Sequence, residues 1–326
     1  MSLSQFQGSI LGLAIGDALG FPVEFRSRRQ ILELLGPAGV TDLLGIQDPR
    51  LSGRAPYIIG ATHPAGTYSD DTQMSLATAR GLLTAGGADL DTLMETIGRE
   101  YVAWSISDDN DRAPGSTCMT GCRNLAQGTP WREAGVARSK GCGSAMRVAP
   151  IGLYYGSDLD RVEAVARASS LLTHGHDAAI EGAAAAALLV ALAVAGVEPA
   201  AMYAEVMRRC GGRSPDFDRC LHRLPDLLSA PPEVALSKAG LGEAWVAEEA
   251  VASALYCVWR HPDDLRACLL EGANTDGDSD SIAAIAGSIS GARLGLGGIP
   301  ADWVARVEGS AALHAVGESL WNARWV

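Results

Sequence analysis

The chain has 326 residues, of which 48% are hydrophobic, 20% charged and 6% aromatic. A chain of this length and composition can bury a sizeable core of mainly aliphatic side chains, which excludes an intrinsically disordered protein. Its 38 acidic and 26 basic residues give a formal net charge of −12. This negative field argues against nucleic acid as a dominant partner.

The start of the chain and its apolar stretches indicate a protein that stays in the cytoplasm. The first basic residue is Arg26, so the N-terminus lacks the basic region of a secretory signal. The longest apolar stretch, 182–197, is slightly shorter than the roughly 18 residues of a membrane span and is interpreted as a buried helix. Seven cysteines without a CxxC pair are typical of reduced thiols. We expect a cytoplasmic protein without a membrane partner.

The apolar residues recur with the helical period along almost the whole chain, and no alternating run is long enough for a strand. The sequence therefore predicts an all-α fold, as a single domain over 1–326. The first helix is predicted over 4–19, where Gly8, Gly12, Gly16 and Gly20 form a stripe at four-residue spacing. Such a stripe would let a second helix approach closely.

Later helices are predicted after a passage rich in Gly and Pro, 36–66, that is typical of a loop. Their predicted ranges are 70–86, 90–105, 115–127, 158–172, 177–196, 199–210, 245–259, 263–271, 279–295 and 308–324.

Acidic residues interrupt the apolar sequence at two places in the first quarter of the chain. Glu24 follows Pro22 between apolar neighbours and is either a capping or surface acid or a functional one. Ser69 comes directly before the helix predicted over 70–86, and Asp70 and Asp71 stand at its start. Acids in a first helical turn commonly bind free backbone amides, so this segment alone is more typical of capping than of a site.

A third acidic segment is harder to explain by capping. Asp276, Asp278 and Asp280 lie within five residues of each other and lead into an apolar helix. The segment does not fit an EF-hand, because Ser279 stands at the glycine position and Ile285 at the final glutamate position.

Oxygen ligands without nearby His or Cys indicate Mg²⁺ or Mn²⁺. We expect Asp278 and Asp280, two residues apart in an extended loop, to face the same side. The hydroxyls of Ser69 and Ser281 could complete the ligand shells.

A glycine-rich turn, 141–146, precedes Arg147. Its exposed amides and the hydroxyl of Ser144 could hold a diphosphate, although a plain glycine turn is about as consistent with the sequence. The turn lacks the P-loop pattern and gives no support to a nucleoside triphosphatase.

Five segments, in their order along the chain, resemble the ADP-ribosylglycohydrolase family. They are 12–20 with Glu24, 68–72, 143–147, Thr173 with His174, and 278–283. The resemblance implies an all-α orthogonal helical bundle with a centre of two Mg²⁺ or Mn²⁺ ions. It also implies a hydrolase that removes ADP-ribose from a modified protein side chain or a small ADP-ribosyl substrate.

The resemblance further implies roles for particular residues. Glu24, Asp278 and Asp280 would be catalytic. The substrate would be bound by Gly143, Ser144, Met146 and His174, with Asp111 a further candidate in an ambiguous acidic loop. The metal ligands would be Ser69, Asp70, Asp71, Asp278, Asp280 and Ser281.

The sequence departs from the family pattern at a few positions. Cys142 stands where Asn is frequent, and Asp276 stands where a small residue is usual. Ser69 and Ser281 replace Thr but keep the hydroxyl, so metal binding is still expected.

Three interpretations of the function follow. The first is hydrolysis of ADP-ribosylarginine, ahead of ADP-ribosylserine and O-acetyl-ADP-ribose. The second is a non-catalytic relative, which should lack an acid in one of the metal motifs. The third is a protein that binds ADP-ribose or a modified protein but turns it over poorly.

Overall fold

The computed structural model describes residues 1–51 and 62–325. These residues form α-helices joined by loops and short 3₁₀ turns, with only three isolated β-bridges between described residues. The all-α prediction is therefore confirmed.

Residues 1–194 contribute eight α-helices within the part of the chain that the structure describes. They are α1 (Leu3–Gly20), α2 (Arg28–Leu35), α3 (Asp70–Ala85), α4 (Leu90–Ser105), α5 (Ser116–Ala126), α6 (Ala149–Tyr154), α7 (Leu159–Leu171) and α8 (Asp177–Val194).

The α-helices described after residue 194 complete the core. They are α9 (Pro199–Cys210), α10 (Pro215–Leu221), α11 (Leu224–Leu227), α12 (Pro232–Ala235), α13 (Ala247–Arg260), α14 (Leu265–Ala273), α15 (Ser279–Leu294), α16 (Ala301–Arg306) and α17 (Ser310–Ala323).

Helices α1 and α15 form the centre of the fold and touch along their glycine faces. A Cβ atom on Gly12 would lie 2.3 Å from the carbonyl oxygen of Gly287, and one on Gly291 would lie 2.0 Å from that of Gly8. The hydroxyl of Ser9 donates across the same interface to the Ser288 carbonyl, at 2.9 Å. Only glycine permits this approach, so the close contact predicted from the stripe is confirmed.

Helix α8 carries the long apolar stretch of the sequence. Nearly all residues of α8 are buried, as expected for a stretch interpreted as a buried helix. By length and composition alone, 3–23 and 177–194 could each cross a membrane, but 94% and 89% of the respective tested windows are buried inside the protein. Such burial is typical of core helices.

The longer predicted helices agree with the structure to within a few residues. The last one, predicted over 308–324, is observed at Ser310–Ala323, and its start follows a left-handed Gly309. Several helices of four to eight residues, such as α2 and α6, were not predicted, because they are too short to show a clear period. Of the loop predicted over 36–66, residues 52–61 lie outside the described residues, and the rest contains one 3₁₀ turn, Pro49–Leu51.

Candidate active site

One buried carboxylate in α1 fixes the start of α3. Asp17 is fully buried, and its two oxygens accept from the backbone N–H of Ser69 at 2.7 Å and that of Thr72 at 2.9 Å. It also accepts from the Thr72 hydroxyl at 2.6 Å. Two backbone amides at the start of α3 are thus satisfied by a neighbouring helix, which leaves the side chains of Asp70 and Asp71 available for other contacts.

The start of α15 carries the second acidic segment. Asp278 is the N-cap of this helix and accepts from the Ser281 N–H at 3.3 Å, while Asp280 lies in the first turn. The prediction of an extended loop here was therefore wrong, since the helix begins at Ser279. The two carboxylates nevertheless lie close together.

A short 3₁₀ turn, Phe21–Val23, brings Glu24 to the same place. The backbone then turns at Phe25, which has a left-handed φ of 65°. The Phe25 N–H donates to the carbonyl oxygen of Gly277 at 3.0 Å, which anchors this segment to the loop before α15. Carboxylate oxygens of Glu24, Asp278 and Asp280 consequently lie within 4.8 Å of one another.

The acids are buried and poorly neutralised. Burial and the charges of four aspartates raise the pKa of Glu24 well above its usual range. Burial and neighbouring aspartates likewise raise the pKa of Asp71 and that of Asp280. Two unit charges about 4 Å apart repel by about 4 kcal/mol at an effective dielectric constant of about 20, so this cluster requires compensation.

Three carboxylate oxygens in this cluster have no hydrogen-bond partner among the described residues. They are Oε2 of Glu24, Oδ2 of Asp71 and Oδ1 of Asp280. A buried oxygen that accepts no hydrogen bond is costly. Several carboxylate oxygens close together are suitable ligands for Mg²⁺ or Mn²⁺. The residues present thus fit divalent cations.

A cavity of about 240 Å³ opens above these acids. Its lining residues include acids, small residues of the 141–146 turn, and two aromatic rings at one side: Glu24, Phe25, Asp70, Asp71, Ala113, Gly115, Ser116, Thr117, Cys118, Gly141, Cys142, Gly143, Met146, His174, Trp245, Asp278 and Ser281. The predicted substrate residues Gly143, Met146 and His174 therefore share one cavity with both acidic segments.

Two predicted substrate residues are placed elsewhere. The Ser144 hydroxyl is buried and donates to the carbonyl oxygen of Ala179 at 3.0 Å, so it fastens the turn to α8. Asp111 does not line the cavity; its side chain is 52% exposed and lies 3.6 Å from His63.

Three other positions discussed from the sequence, Ser69, Asp276 and Cys142, make hydrogen bonds within the protein. Ser69 caps α3, and its hydroxyl accepts from the Asp71 N–H at 3.2 Å. Asp276 accepts from the Arg28 N–H at 2.8 Å and supports α2 rather than the cavity. The thiol of Cys142 donates to Asp278 at 2.9 Å, and burial with that carboxylate raises the pKa of the thiol well above its usual range.

Sequence reasoning assigned no role to Asp17 or to the aromatic pair at the cavity. An aspartate inside an apolar, glycine-striped helix was a signal for Asp17, since such a residue must find donors when buried. Phe25 and Trp245 stack with ring centroids 4.9 Å apart. They are far apart in the sequence, and no local pattern links them.

A larger cleft of about 590 Å³ lies around Trp131, away from these acids. Both acids that line it, Asp91 and Glu95, are exposed, and Asp91 is paired with Arg132. Exposed carboxylates need no cation, so the smaller cavity is the candidate active site.

The fold and the site together define an all-α protein with an acid-lined cavity of the kind that holds divalent cations. The family model described as ADP-ribosylglycohydrolase matches residues 2–326. The chain belongs to the ADP-ribosylglycohydrolase family, and it is accordingly a hydrolase that acts on ADP-ribosylated substrates.

Individual relatives extend over most of the chain. ADP-ribosylhydrolase ARH3 from Bos taurus is 30% identical, with 98% of this chain and 93% of the relative aligned. ADP-ribosylarginine hydrolase Tri1 from Pseudomonas putida (strain GB-1) is 26% identical over 98% of this chain and 79% of its own length. A solved structure, "ADP-ribosylglycohydrolase-related protein complex", superimposes with a TM-score of 0.75 at 27% identity and covers 98% of both chains.

Proposed function

We propose that this protein uses two Mg²⁺ or Mn²⁺ ions to hydrolyse the bond between ADP-ribose and a modified protein side chain, with ADP-ribosylarginine as the first candidate. The observation that supports this proposal most directly is the group of buried carboxylate oxygens on Glu24, Asp71 and Asp280 that have no partner among the residues the structure describes. A site for a neutral ligand alone would gain nothing from them. We place the reaction in the cytoplasm, as the sequence suggests.

The proposed ligands come from the starts of two helices. Asp70 and Asp71 with Ser69 would hold cations from α3, and Asp278, Asp280 and Ser281 would hold them from α15. Divalent cations bound there would lower the pKa of a water molecule and balance the charge that develops as the glycosidic bond breaks.

The chain's own residues would orient the substrate and handle the proton. The glycines at 141 and 143 leave the cavity wall open to the ADP-ribosyl group, with Met146 and His174 beside them. Glu24 lines the same cavity, and its Oε2 accepts no hydrogen bond from residues 1–51 or 62–325. We assign Glu24 the transfer of the proton from the attacking water, or a place among the ligands until substrate displaces it.

The choice of arginine rests on the relative named for ADP-ribosylarginine. Serine-linked ADP-ribose and O-acetyl-ADP-ribose remain the next candidates. The test is release of free ADP-ribose from each of the three substrates with Mg²⁺, with Mn²⁺ and with EDTA. Cation-dependent release from the arginine linkage is the expected result; release from another linkage alone would correct the substrate, and release in EDTA would refute the role of cations.

Substitution of the acids tests the proposed site directly. Asp278→Asn and Asp280→Asn should each lower hydrolysis by a factor on the order of 100 or more, because each removes a charged oxygen ligand. Calorimetry should show weaker Mn²⁺ binding in both variants.

Asp276→Asn is a matched control in the same segment, since its oxygen can still accept from Arg28. It should hydrolyse at nearly the wild-type rate. Full activity in Asp278→Asn and Asp280→Asn would exclude these residues from the site.

A protein that binds ADP-ribose without efficient turnover is the second candidate. The cysteine at position 142, hydrogen-bonded to Asp278, is the feature that favours it, because it changes the surroundings of a proposed ligand. Tight ADP-ribose binding without release from any of the three substrates would establish this alternative.

A further inference from the structure

A buried arginine lies directly behind the glycine turn. The Arg147 side chain is fully buried, and its guanidinium carbon lies 4.4 Å from the ring centroid of Tyr101. Its Nη2 donates to the Ser169 carbonyl at 3.0 Å and to the Thr173 hydroxyl at 2.7 Å. A guanidinium carries only donors and stays protonated, so the Thr173 oxygen must be the acceptor in that bond.

The direction of the next hydrogen bond follows from this one. Thr173 Oγ1 lies 2.7 Å from Nδ1 of His174, and within the described residues these two contacts are the only ones made by this hydroxyl. The hydroxyl has one hydrogen, and Nδ1 is its single available acceptor. If Nδ1 carried a proton instead, the Thr173 hydrogen would be buried without an acceptor, which is costly.

The other ring nitrogen of His174 faces the cavity. Nε2 has no hydrogen-bond partner among residues 1–51 and 62–325, and the ring belongs to the cavity lining. A Cβ on Gly141 would lie 3.0 Å from Nε2, and one on Gly143 would lie 3.0 Å from the ring carbon Cε1. Glycine at both positions therefore keeps this edge of the ring uncrowded.

We propose that Arg147 and Thr173 hold His174 as the tautomer with the proton on Nε2, so that this residue, already expected to bind substrate, presents a hydrogen-bond donor to the cavity. Arg147 and Thr173 are positioning residues that act through His174. The inference rests on the proposed function for the identity of the ligand, whereas the tautomer follows from the hydrogen-bond directions alone.

The electrostatics agree with this assignment. Burial and the charge of Arg147 lower the pKa of His174 to about 3. The ring is then neutral at physiological pH, with one donor nitrogen and one acceptor nitrogen. A neutral donor binds an oxygen ligand without losing its own proton, so His174 acts in binding rather than as a general acid.

Nitrogen-15 NMR of the histidine rings in the full chain tests the tautomer. His174 is assigned by comparison with His174→Gln. The expected spectrum has Nδ1 unprotonated and Nε2 protonated, without change across roughly pH 6 to 8. A wild-type His174 ring protonated on Nδ1 would overturn the inference.

Two substitutions at position 173 test the positioning role. Thr173→Val removes the hydroxyl and should give a mixture of both tautomers, whereas Thr173→Ser should keep the wild-type spectrum. ADP-ribose should bind about two- to fivefold more weakly to Thr173→Val, because only the fraction of rings protonated on Nε2 can donate, and almost normally to Thr173→Ser. An unchanged tautomer and unchanged affinity in Thr173→Val would contradict the proposal.

These measurements are independent of turnover. If ADP-ribose binds with the expected tautomer but no substrate is hydrolysed, the proposed function fails and this inference stands. If hydrolysis occurs but the tautomer is the opposite one, this inference fails and the proposed function stands.

Discussion

At the scale of single residues, Asp17 shows how a side chain outside the cavity can control it. Its three hydrogen bonds join α1 to the first turn of α3, which carries Asp70 and Asp71. A shift of this turn would move both carboxylates together. Asp17 is therefore expected to matter for stability and for cation binding alike.

Asp17→Asn should lower the free energy of unfolding by about 1–3 kcal/mol, because one acceptor oxygen becomes an NH₂ group that faces a backbone donor. It should also weaken Mn²⁺ binding. Chemical denaturation in EDTA measures the first effect, and calorimetry measures the second.

Asp89→Asn is the matched control. Asp89 caps α4 by accepting from the Thr92 N–H, and Asn is as good an N-cap as Asp at an exposed position. Its unfolding free energy should change little. Equal effects of the two substitutions would mean that Asp17 is an ordinary cap.

The sequence identified the acids of the site but only some of their surroundings. Glu24, Asp278 and Asp280 were recognisable because charged residues in apolar sequence require a reason to be buried. Ser144 and Asp111 were expected in the cavity, but the backbone turns the first toward α8 and leaves the second exposed. Side-chain direction depends on local backbone geometry, which spacing alone does not give.

At the scale of secondary structure, the contact between α1 and α15 holds the site in place. Gly20 lies where a Cβ would come within 2.4 Å of the Asp280 Cα. The close backbone contact between α1 and α15 therefore extends from the middle of the two helices to Asp280. Any separation of the helices would move Asp280 away from Glu24.

Gly12→Ala tests this interface. The new Cβ would lie 2.3 Å from the Gly287 carbonyl oxygen, so the helices must separate, at a cost of about 1–3 kcal/mol or more. Gly87→Ala is the control, because no atom lies within 4 Å of its added Cβ. The thermal melting temperature should fall for Gly12→Ala and stay nearly unchanged for Gly87→Ala; equal stability of the two variants would refute the close packing.

Helix prediction succeeded where the apolar period extends over three turns or more. Helix α4 was predicted with its observed bounds, 90–105. Helix α6, with six residues, and α10, with seven, were missed. Tertiary contacts rather than a local period stabilise such short segments.

At the scale of the whole molecule, the buried acids make stability depend on pH when no cation is bound. Burial raises the pKa of Asp17 to about 6 and, with the charges of Asp17 and Asp278, that of Asp70 to about 8. The folded chain then binds more protons than the unfolded chain between about pH 4 and pH 8. Stability therefore falls as the pH rises through this range.

In EDTA, the protein should melt at a higher temperature near pH 5.5 than near pH 8. Ionising the buried carboxyl groups costs folding free energy, and this cost is absent below their pKa in the unfolded chain, about 4, and complete above their pKa values in the folded chain. Saturating Mn²⁺ should reduce or reverse this trend by stabilising the charged acids. Calorimetric melts at both pH values measure this. A trend of opposite sign in EDTA would refute the burial of uncompensated carboxylates.

We propose that 1–326 is one domain, which predicts a single transition in the same melts. The sequence alone could not show which segments meet, because nothing in local spacing relates residue 70 to residue 278. That association came from the resemblance to a family, and the fold supplies its physical basis through α1.

The pairing of α1 with α15 also bears on how the protein is made. Ser9 and the Ser288 carbonyl to which it donates are 279 positions apart, so α1 is synthesised long before its principal neighbour, α15. Until α15 emerges, the glycine face of α1 lacks the partner that covers it in the folded protein, and translation proceeds at only about 5–20 residues per second. The nascent chain must therefore keep this face of α1 from aggregating while the intervening residues are made, and the proposed cation site is complete only after α15 has been synthesised.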